Sequence, residues 1–293
     1  MNNYIQIHNQ RICDCPKTHI SCIEPRSWMQ NQIGVWEFKY EDRDIRKKEI
    51  HPATFPISMA KKIIELFSHR GELVLDPFVG SGTTLVAASD LERNSIGFDL
   101  KPEYIDLCTN RIAQVKTNES TKHVSVNDDA RNISNYIEPD TIKLVFTSPP
   151  YANLLNRPRQ NKSRRVRNNE QLGKIEQYSQ DERDLGILSP NDFENAIYEI
   201  FNNIRPLIKF KGHCVINISD IWMDNTRIPL HINIIRAMEK AGYELRNTII
   251  WDRRNIVNGI GIFGYPSNYI TMGTTFEYLL DFWNPTDWKS AKN

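Results

Sequence analysis

Between residues 56 and 148 the chain alternates short apolar runs with stretches of helical periodicity, and this alternation restricts the fold more than any other feature. PISMAKKIIELFSH (56–69) carries apolar residues at helical spacing behind a proline, a residue tolerated in a first helical turn. GELVLD (71–76), SIGFD (95–99), HVSVN (123–127) and IKLVFTS (142–148) read as buried strands. Helices over 83–92 and 102–115 separate the earlier ones. Strands joined through helices predict a parallel sheet covered on its faces. The pattern lapses over 152–189, then resumes with a helix (191–208), a strand (212–219) and a helix (229–242). Two final strands (243–252 and 276–284) have no helix between them, so they are expected to pair antiparallel. The expectation is a mostly parallel α/β sheet of seven strands whose last strand is antiparallel. It occupies one domain over 51–293, with 1–50 an irregular extension and 152–189 an insertion.

Composition narrows the partners. Of 293 residues 25% are charged, yet the net charge is only +1, so affinity for a polyanion has to come from a local patch. No run of eighteen apolar residues exists, and MNNYIQIHNQ lacks the apolar core of a secretory signal, so a cytoplasmic protein without membrane attachment is expected. The five cysteines are Cys13, Cys15, Cys22, Cys108 and Cys214. An odd number without a secretion signal argues against a disulfide framework. His8 and His19 lie near the first three, but paired C-x-x-C spacing is absent. The thiols are therefore expected to be reduced and incidental, and no metal is expected.

DPFVGSGTT (76–84) sits where the first buried strand feeds a helix, and glycines there let a ligand approach the backbone. Asp76 ends that strand. Asp99 ends the next, about twenty residues on, the spacing at which an acid accepts hydrogen bonds from a ribose diol. A phosphate-binding loop needs Gly-Lys-Ser/Thr, but Gly82 is followed by Thr83 and Thr84. A dinucleotide turn needs a third glycine where Leu85 stands, and two acids would repel a pyrophosphate. S-adenosylmethionine, cationic and free of phosphate, fits better.

TSPPY (147–151) falls at the carboxyl end of the fourth strand, where open sheets bind ligands. Alone, two prolines after a strand are an ordinary stop. Beside the glycine turn they suit methylation of an exocyclic amine on a nucleobase. Such an amine is a poor nucleophile because its lone pair is delocalised into the ring. Acceptors at its two hydrogens, the Ser148 hydroxyl and a carbonyl near Pro149, favour a pyramidal nitrogen with a localised lone pair. Pro149 and Pro150 hold the backbone without competing donors, and Tyr151 offers a face for a base removed from its helix. A carbon-5 cytosine mechanism needs a thiolate, and no cysteine occupies this turn.

Together these motifs resemble the amino-methylating DNA methyltransferases, which modify N4 of cytosine or N6 of adenine. HPATFP (51–56), GVWEFKY (34–40) and NDDA (127–130) are similar to further segments of that family. The resemblance implies a Rossmann-like, seven-stranded S-adenosylmethionine-dependent methyltransferase sheet. It implies a cofactor site from His51, Pro52, Thr54, Phe55, Asp76, Pro77, Phe78, Gly80, Ser81, Gly82, Thr83, Asp99, Leu100, Thr147 and, at the adenine, Asp128 or Asp129. Ser148, Pro149, Pro150 and Tyr151 would form the catalytic turn. Serine at position 148 leans toward cytosine N4, with adenine N6 the runner-up; RNA methylation and a non-catalytic binding module are more distant readings. The order departs from many serine-type members, because here the cofactor motif precedes the catalytic one. Double-stranded DNA and a cognate restriction endonuclease are the implied partners of a microbial modification enzyme.

The insertion carries Arg157, Arg159, Lys162, Arg164, Arg165, Arg167 and Lys174 directly after the expected catalytic turn, with Glu170 the one acid among them. These side chains are expected to contact DNA phosphates. RRNIVNGIGIFGYPSNY (253–269) is a second segment able to reach DNA, and the two remain alternatives for sequence recognition.

Overall fold

A computed structural model of the chain describes residues 4–7, 9–16, 18–45, 54–115, 120–152, 181–223, 226–256 and 274–287. Its centre is a sheet built on β2 (Leu73–Asp76), β3 (Asn94–Asp99), β4 (His123–Asn127), β5 (Ile142–Thr147), β6 (Ile208–Ile218), β9 (Glu244–Asp252) and β10 (Phe276–Trp283). These are the seven expected strands. An eighth, β1 (Val35–Glu37), pairs parallel to β9 at the edge, and the order is β1-β9-β10-β6-β5-β2-β3-β4. Only β10 runs antiparallel to its neighbours, between β9 and β6. β7 (Ile221–Met223) and β8 (Thr226–Ile228) form a separate two-stranded ribbon.

The segment read as irregular therefore contributes to the sheet, and it also forms α1 (Pro25–Gln30). Three residues were too few for their alternation to register as a strand. Two boundaries also shift. The helix expected over 191–208 is α5 (Pro190–Ile204), followed by a 3₁₀ turn, and β6 already begins at Ile208. Pro206 lacks the N–H that a continuing helix would need, so the chain tightens and turns into the strand early.

The sheet is buried on both faces because β2 and β5 have no exposed residue. Alternation divides their side chains. Leu73 and Leu75 join Phe193, Ile197, Phe201, Ile234 and Met238 on the side of α5 and α6 (Leu230–Lys240). Val74 joins Ile63, Ile64, Phe67, Val86 and Ala87 on the side of α2 (Ile57–Phe67) and α3 (Thr83–Asp90). Strands buried on both faces read as continuous apolar runs, which is why these were legible. Trp36 and Phe38 of GVWEFKY enter the second cluster beside Trp251. No helix among the described residues is long and apolar enough to cross a membrane.

The turn between β2 and α3 requires its glycine. Gly82 holds φ +82° at the head of α3, and a Cβ there would lie 2.5 Å from Cys108 Sγ on α4 (Pro102–Ala113). Gly82→Ala is therefore expected to destabilise the protein by about 1–3 kcal/mol, through both backbone strain and overpacking. A urea midpoint unchanged from that of the unmodified chain would show that the turn relaxes without cost.

Candidate active site

From β2 the chain adds β3 and β4 on one side, and β5 then returns to the other side of β2. The loops leaving the carboxyl ends of β2 and β5 part at this reversal and leave a crevice, and both motifs open into it.

One carboxylate joins them. Asp76 ends β2 and is 1% exposed. Its Oδ1 accepts from Thr147 Oγ1 at 2.6 Å and from the Phe78 N–H at 3.1 Å, while Oδ2 accepts from Thr84 Oγ1 at 2.5 Å. Thr84 belongs to the glycine turn and Thr147 ends the strand that leads into Ser148, so a single side chain sets their separation. Burial pushes the Asp76 carboxyl up to about 6, opposed by the hydrogen bonds from Thr147, Thr84 and Phe78. The structure thus places Asp76 beneath the turn with its oxygens engaged by protein donors.

Asp99, at the end of β3, faces the crevice. It accepts from the N–H of Gly80 at 3.0 Å and of Lys101 at 2.9 Å, and burial pushes it up to about 6 as well. The crevice is open to solvent and holds a cavity volume of about 50 Å³. From the expected cofactor set, Pro77, Phe78, Asp99, Leu100, Asp128 and Asp129 line it, and Pro150, from the turn after β5, forms part of its wall. Gly80 serves through its N–H on Asp99. Ser81 and Thr83 face the other way, where Arg111 donates to the Ser81 carbonyl at 2.6 Å and lies 3.3 Å from the Thr83 hydroxyl. Thr54 donates to the Ile45 carbonyl, and Phe55 packs on Phe146 with ring centroids 4.9 Å apart; neither lines the crevice. His51 and Pro52 lie outside the described residues.

The far wall distinguishes the two acids of NDDA. Asp128 accepts from the Asp129 N–H at 2.7 Å, Asn132 Nδ2 at 2.9 Å and Tyr136 Oη at 2.8 Å. Burial alone would raise its carboxyl, but these three donors prevail and hold it below the usual range. Asp129 caps the following 3₁₀ turn through the Arg131 N–H and pairs with the Arg131 guanidinium at 2.9 Å.

Further lining residues were not expected. Tyr104, Arg183, Asp184 and Leu185 close the crevice from α4 and from the segment before α5. Asp184 is buried, which raises its carboxyl, and it accepts from the Gly186 N–H at 2.8 Å. Its signal in the sequence, DLG ahead of a Ser-Pro helix start, lay within the stretch read as insertion. Arg183 pairs with Asp181 at 2.6 Å, so much of its charge is already matched.

In the turn after β5, Ser148 Oγ lies 3.4 Å from Asn217 Nδ2, which donates at 2.8 Å to Glu277 Oε2. Tyr151 is 9% exposed and its hydroxyl donates to the same oxygen at 3.1 Å. Arg253 forms an ion pair with Glu277 Oε1. The Asn217 Oδ1 is buried with no hydrogen-bond partner among the described residues. Asn217 and Glu277 come from β6 and β10, so no linear motif joined them to TSPPY. Arg157, Arg159, Lys162, Arg164, Arg165 and Arg167 lie outside the described residues, as do residues 257–269 of the second basic segment.

The crevice fits S-adenosylmethionine on its own features. Asp99 retains lone pairs for hydroxyl donors, Phe78, Pro150 and Leu185 offer apolar surface for a purine, and Asp99, Asp128, Asp129 and Asp184 disfavour a pyrophosphate.

A family model described as an N6/N4 DNA methylase matches residues 14–110 and 142–289. The chain is 35% identical over 117 residues to the type II methyltransferase M.BglI of Bacillus subtilis, covering 40% of this chain and 30% of that protein. It is 37% identical over 82 residues to the type II methyltransferase M.HpaI of Haemophilus parainfluenzae, covering 28% and 26%. The matches thus span less than a third of these relatives. Among solved structures, an rRNA methylase from Streptococcus thermophilus aligns with 80% of this chain and 99% of its own, at TM-score 0.45 and 12% identity.

The buried carboxyl of Asp76 predicts a pH signature. Held near 6 in the fold against 3.8 for the free group, it binds a proton in the folded chain before the unfolded chain does. Its contribution to stability is therefore greatest below about pH 4 and is lost as pH rises through about 6, an effect on the order of 1–3 kcal/mol. Asp76→Asn is expected to flatten this fall. Parallel stability profiles for the two proteins between those pH values would refute the assignment.

Proposed function

The chain belongs to the N6/N4 DNA methylase family, whose cofactor is S-adenosylmethionine, and on that premise we propose that it methylates the exocyclic N4 amine of a flipped cytosine within a specific sequence of duplex DNA. The observation that carries this reading is the Asp76 clasp, which holds the turn after β2 and the Ser148 turn at one crevice.

The cofactor supplies an electrophilic methyl group on a sulfonium. Asp99 would accept from the ribose hydroxyls, Phe78, Leu100 and Asp128 would surround the adenine, and the acidic lining would favour the cationic end. The Ser148 hydroxyl oxygen accepts from the target amine, which localises the nitrogen lone pair toward the methyl group. The buried Asn217 Oδ1 stands as a further acceptor in the same network. Pro149 and Pro150 keep the turn free of competing N–H donors. Glu277 holds Asn217 and Tyr151 in place, and Arg253 neutralises it, so the acceptors are oriented before a base enters. The amine proton leaves after transfer, so no strong base is required. Arg157, Arg159, Lys162, Arg164, Arg165 and Arg167 would engage phosphates beside the flipped base. The likeness to type II methyltransferases supports a modification enzyme whose partner is a restriction endonuclease of the same specificity.

Mass analysis of nucleosides from methylated DNA tests the choice of base. N4-methylcytosine is expected, and N6-methyladenine alone would overturn it. Ser148→Ala should lower methyl transfer at least about tenfold while cofactor binding persists, as expected for one lost transition-state hydrogen bond. Cofactor affinity, measured by calorimetry, should fall as pH drops below about 6, because protonated Asp99 loses acceptor capacity. Asp99→Ala should bind weakly throughout. Neutralising Arg164 and Arg165 should reduce the salt dependence of DNA binding, and an unaltered slope would remove them from the phosphate contact.

A further inference from the structure

At the opposite end of β2 from the crevice, four side chains converge that the methyl-transfer reading does not use. Cys13, Cys15 and Cys22 come from the N-terminal segment, and His69 comes from the turn between α2 and β2. Their ligand atoms all lie within 4.8 Å of one another. His69 Nδ1 is 3.4 Å from Cys13 Sγ and 3.6 Å from Cys22 Sγ. In a tetrahedron with Zn–S about 2.3 Å and Zn–N about 2.0–2.1 Å, the S···N edge comes to about 3.5 Å. The observed separations match that edge.

Hydrogen bonding alone does not account for the arrangement. His69 is fully buried, and its Nε2 lies 2.9 Å from the His19 carbonyl, an acceptor. Nε2 therefore carries the proton, and Nδ1 presents a single lone pair. One thiol proton satisfies a lone pair, yet two sulfurs face it. A ring nitrogen fixed through its other nitrogen on a carbonyl is the usual state of a metal-ligating histidine. The Arg70 N–H also points at Cys22 Sγ, 3.4 Å away, as a donor to a thiolate would.

We propose that Cys13, Cys15, Cys22 and His69 bind one structural zinc ion that fastens the N-terminal segment to the amino end of the sheet. Three thiolates and an imidazole are a soft, four-ligand set that suits zinc and leaves no open position for catalysis. Binding releases three thiol protons to solvent, while the imidazole keeps its Nε2 proton. The resulting complex has net charge −1. Nearby, the buried Arg93 gives its guanidinium donors to the neutral oxygens of Ser68 and Leu91. Around the ion the segment is already seated. The Ile12 N–H donates to the Arg70 carbonyl at 3.0 Å, the Leu73 N–H donates to Asn9 at 3.1 Å, and Gly71 (φ +81°) lies where a Cβ would strike the Gln10 carbonyl.

The sequence pointed away from this site because its spacing is C-x-C-x₆-C and the fourth ligand lies 47 residues further on. His19, the neighbour in sequence, contributes its carbonyl instead of its ring.

The test uses the full chain, purified without chelators, and is independent of any methylation assay. Elemental analysis is expected to find about one zinc per chain, falling below about 0.1 in Cys15→Ser and in Cys22→Ser. Stepwise mercuration of the thiols in the unmodified chain should release zinc in proportion, which covers the case in which the variants fail to fold. Cobalt in place of zinc should show thiolate-to-metal absorption of a tetrahedral site. Zinc below about 0.1 per chain in the folded protein, with no rise in melting temperature on adding zinc chloride, would overturn the proposal. So would a disulfide among the three cysteines, iron in place of zinc, or zinc retained at full occupancy in both serine variants.

Discussion

The crevice end of the sheet depends on the contact between Asp76 and two threonines. A charge buried at the end of a central strand is costly unless donors surround it. Here the donors come from two different loops. Thr84 lies in the first turn of the helix behind the glycine turn, Thr147 ends the neighbouring strand, and the Phe78 N–H lies within the turn itself. Satisfying the carboxylate therefore requires both loops to hold one separation. That requirement turns two adjacent strand ends into a crevice of defined width, with Asp99 on one side and the Ser148 turn on the other.

The antiparallel strand supplies the second half of the site. β10 lies between β6 and β9, so Glu277 reaches Asn217 from one neighbour while Arg253 approaches from beyond the other. Leu279 pairs directly with Asn217, and Glu277, two residues away, shares its face. A parallel strand would need a crossover helix to enter there. The inserted strand instead brings a buried acid beneath Tyr151 and Asn217, where it orients both by hydrogen bonds.

The two ends of β2 thus have separate tasks. The carboxyl end carries the crevice and its acids. The amino end receives the N-terminal segment through Asn9, the Arg70 carbonyl and the Cys/His cluster. β1 continues the same segment into the sheet edge beside β9, so residues ahead of the glycine turn brace the sheet at two places.

How much was legible in the sequence follows from the range of each interaction. β2, β3 and β5 are buried and short, so their apolar runs and terminal acids stood out, and DPFVGSGTT and TSPPY are contiguous because each is one turn of chain. The switch point followed from strand order, and the crevice lies there. β1 was too short to show a period, and Pro206 moved a helix end that periodicity alone had extended. Asn217, Glu277, Asp184 and the pairing of His69 with three cysteines were not legible, because each partner is distant along the chain. Local chemistry thus determined which two turns meet at one crevice. Only the tertiary structure decided that Asp76 is a buried clasp, that Glu277 sits beneath Tyr151 and Asn217, and that His69 completes the thiol cluster. Hydrogen bonds and coordination act over a few ångströms, and only folding brings those residues within that distance.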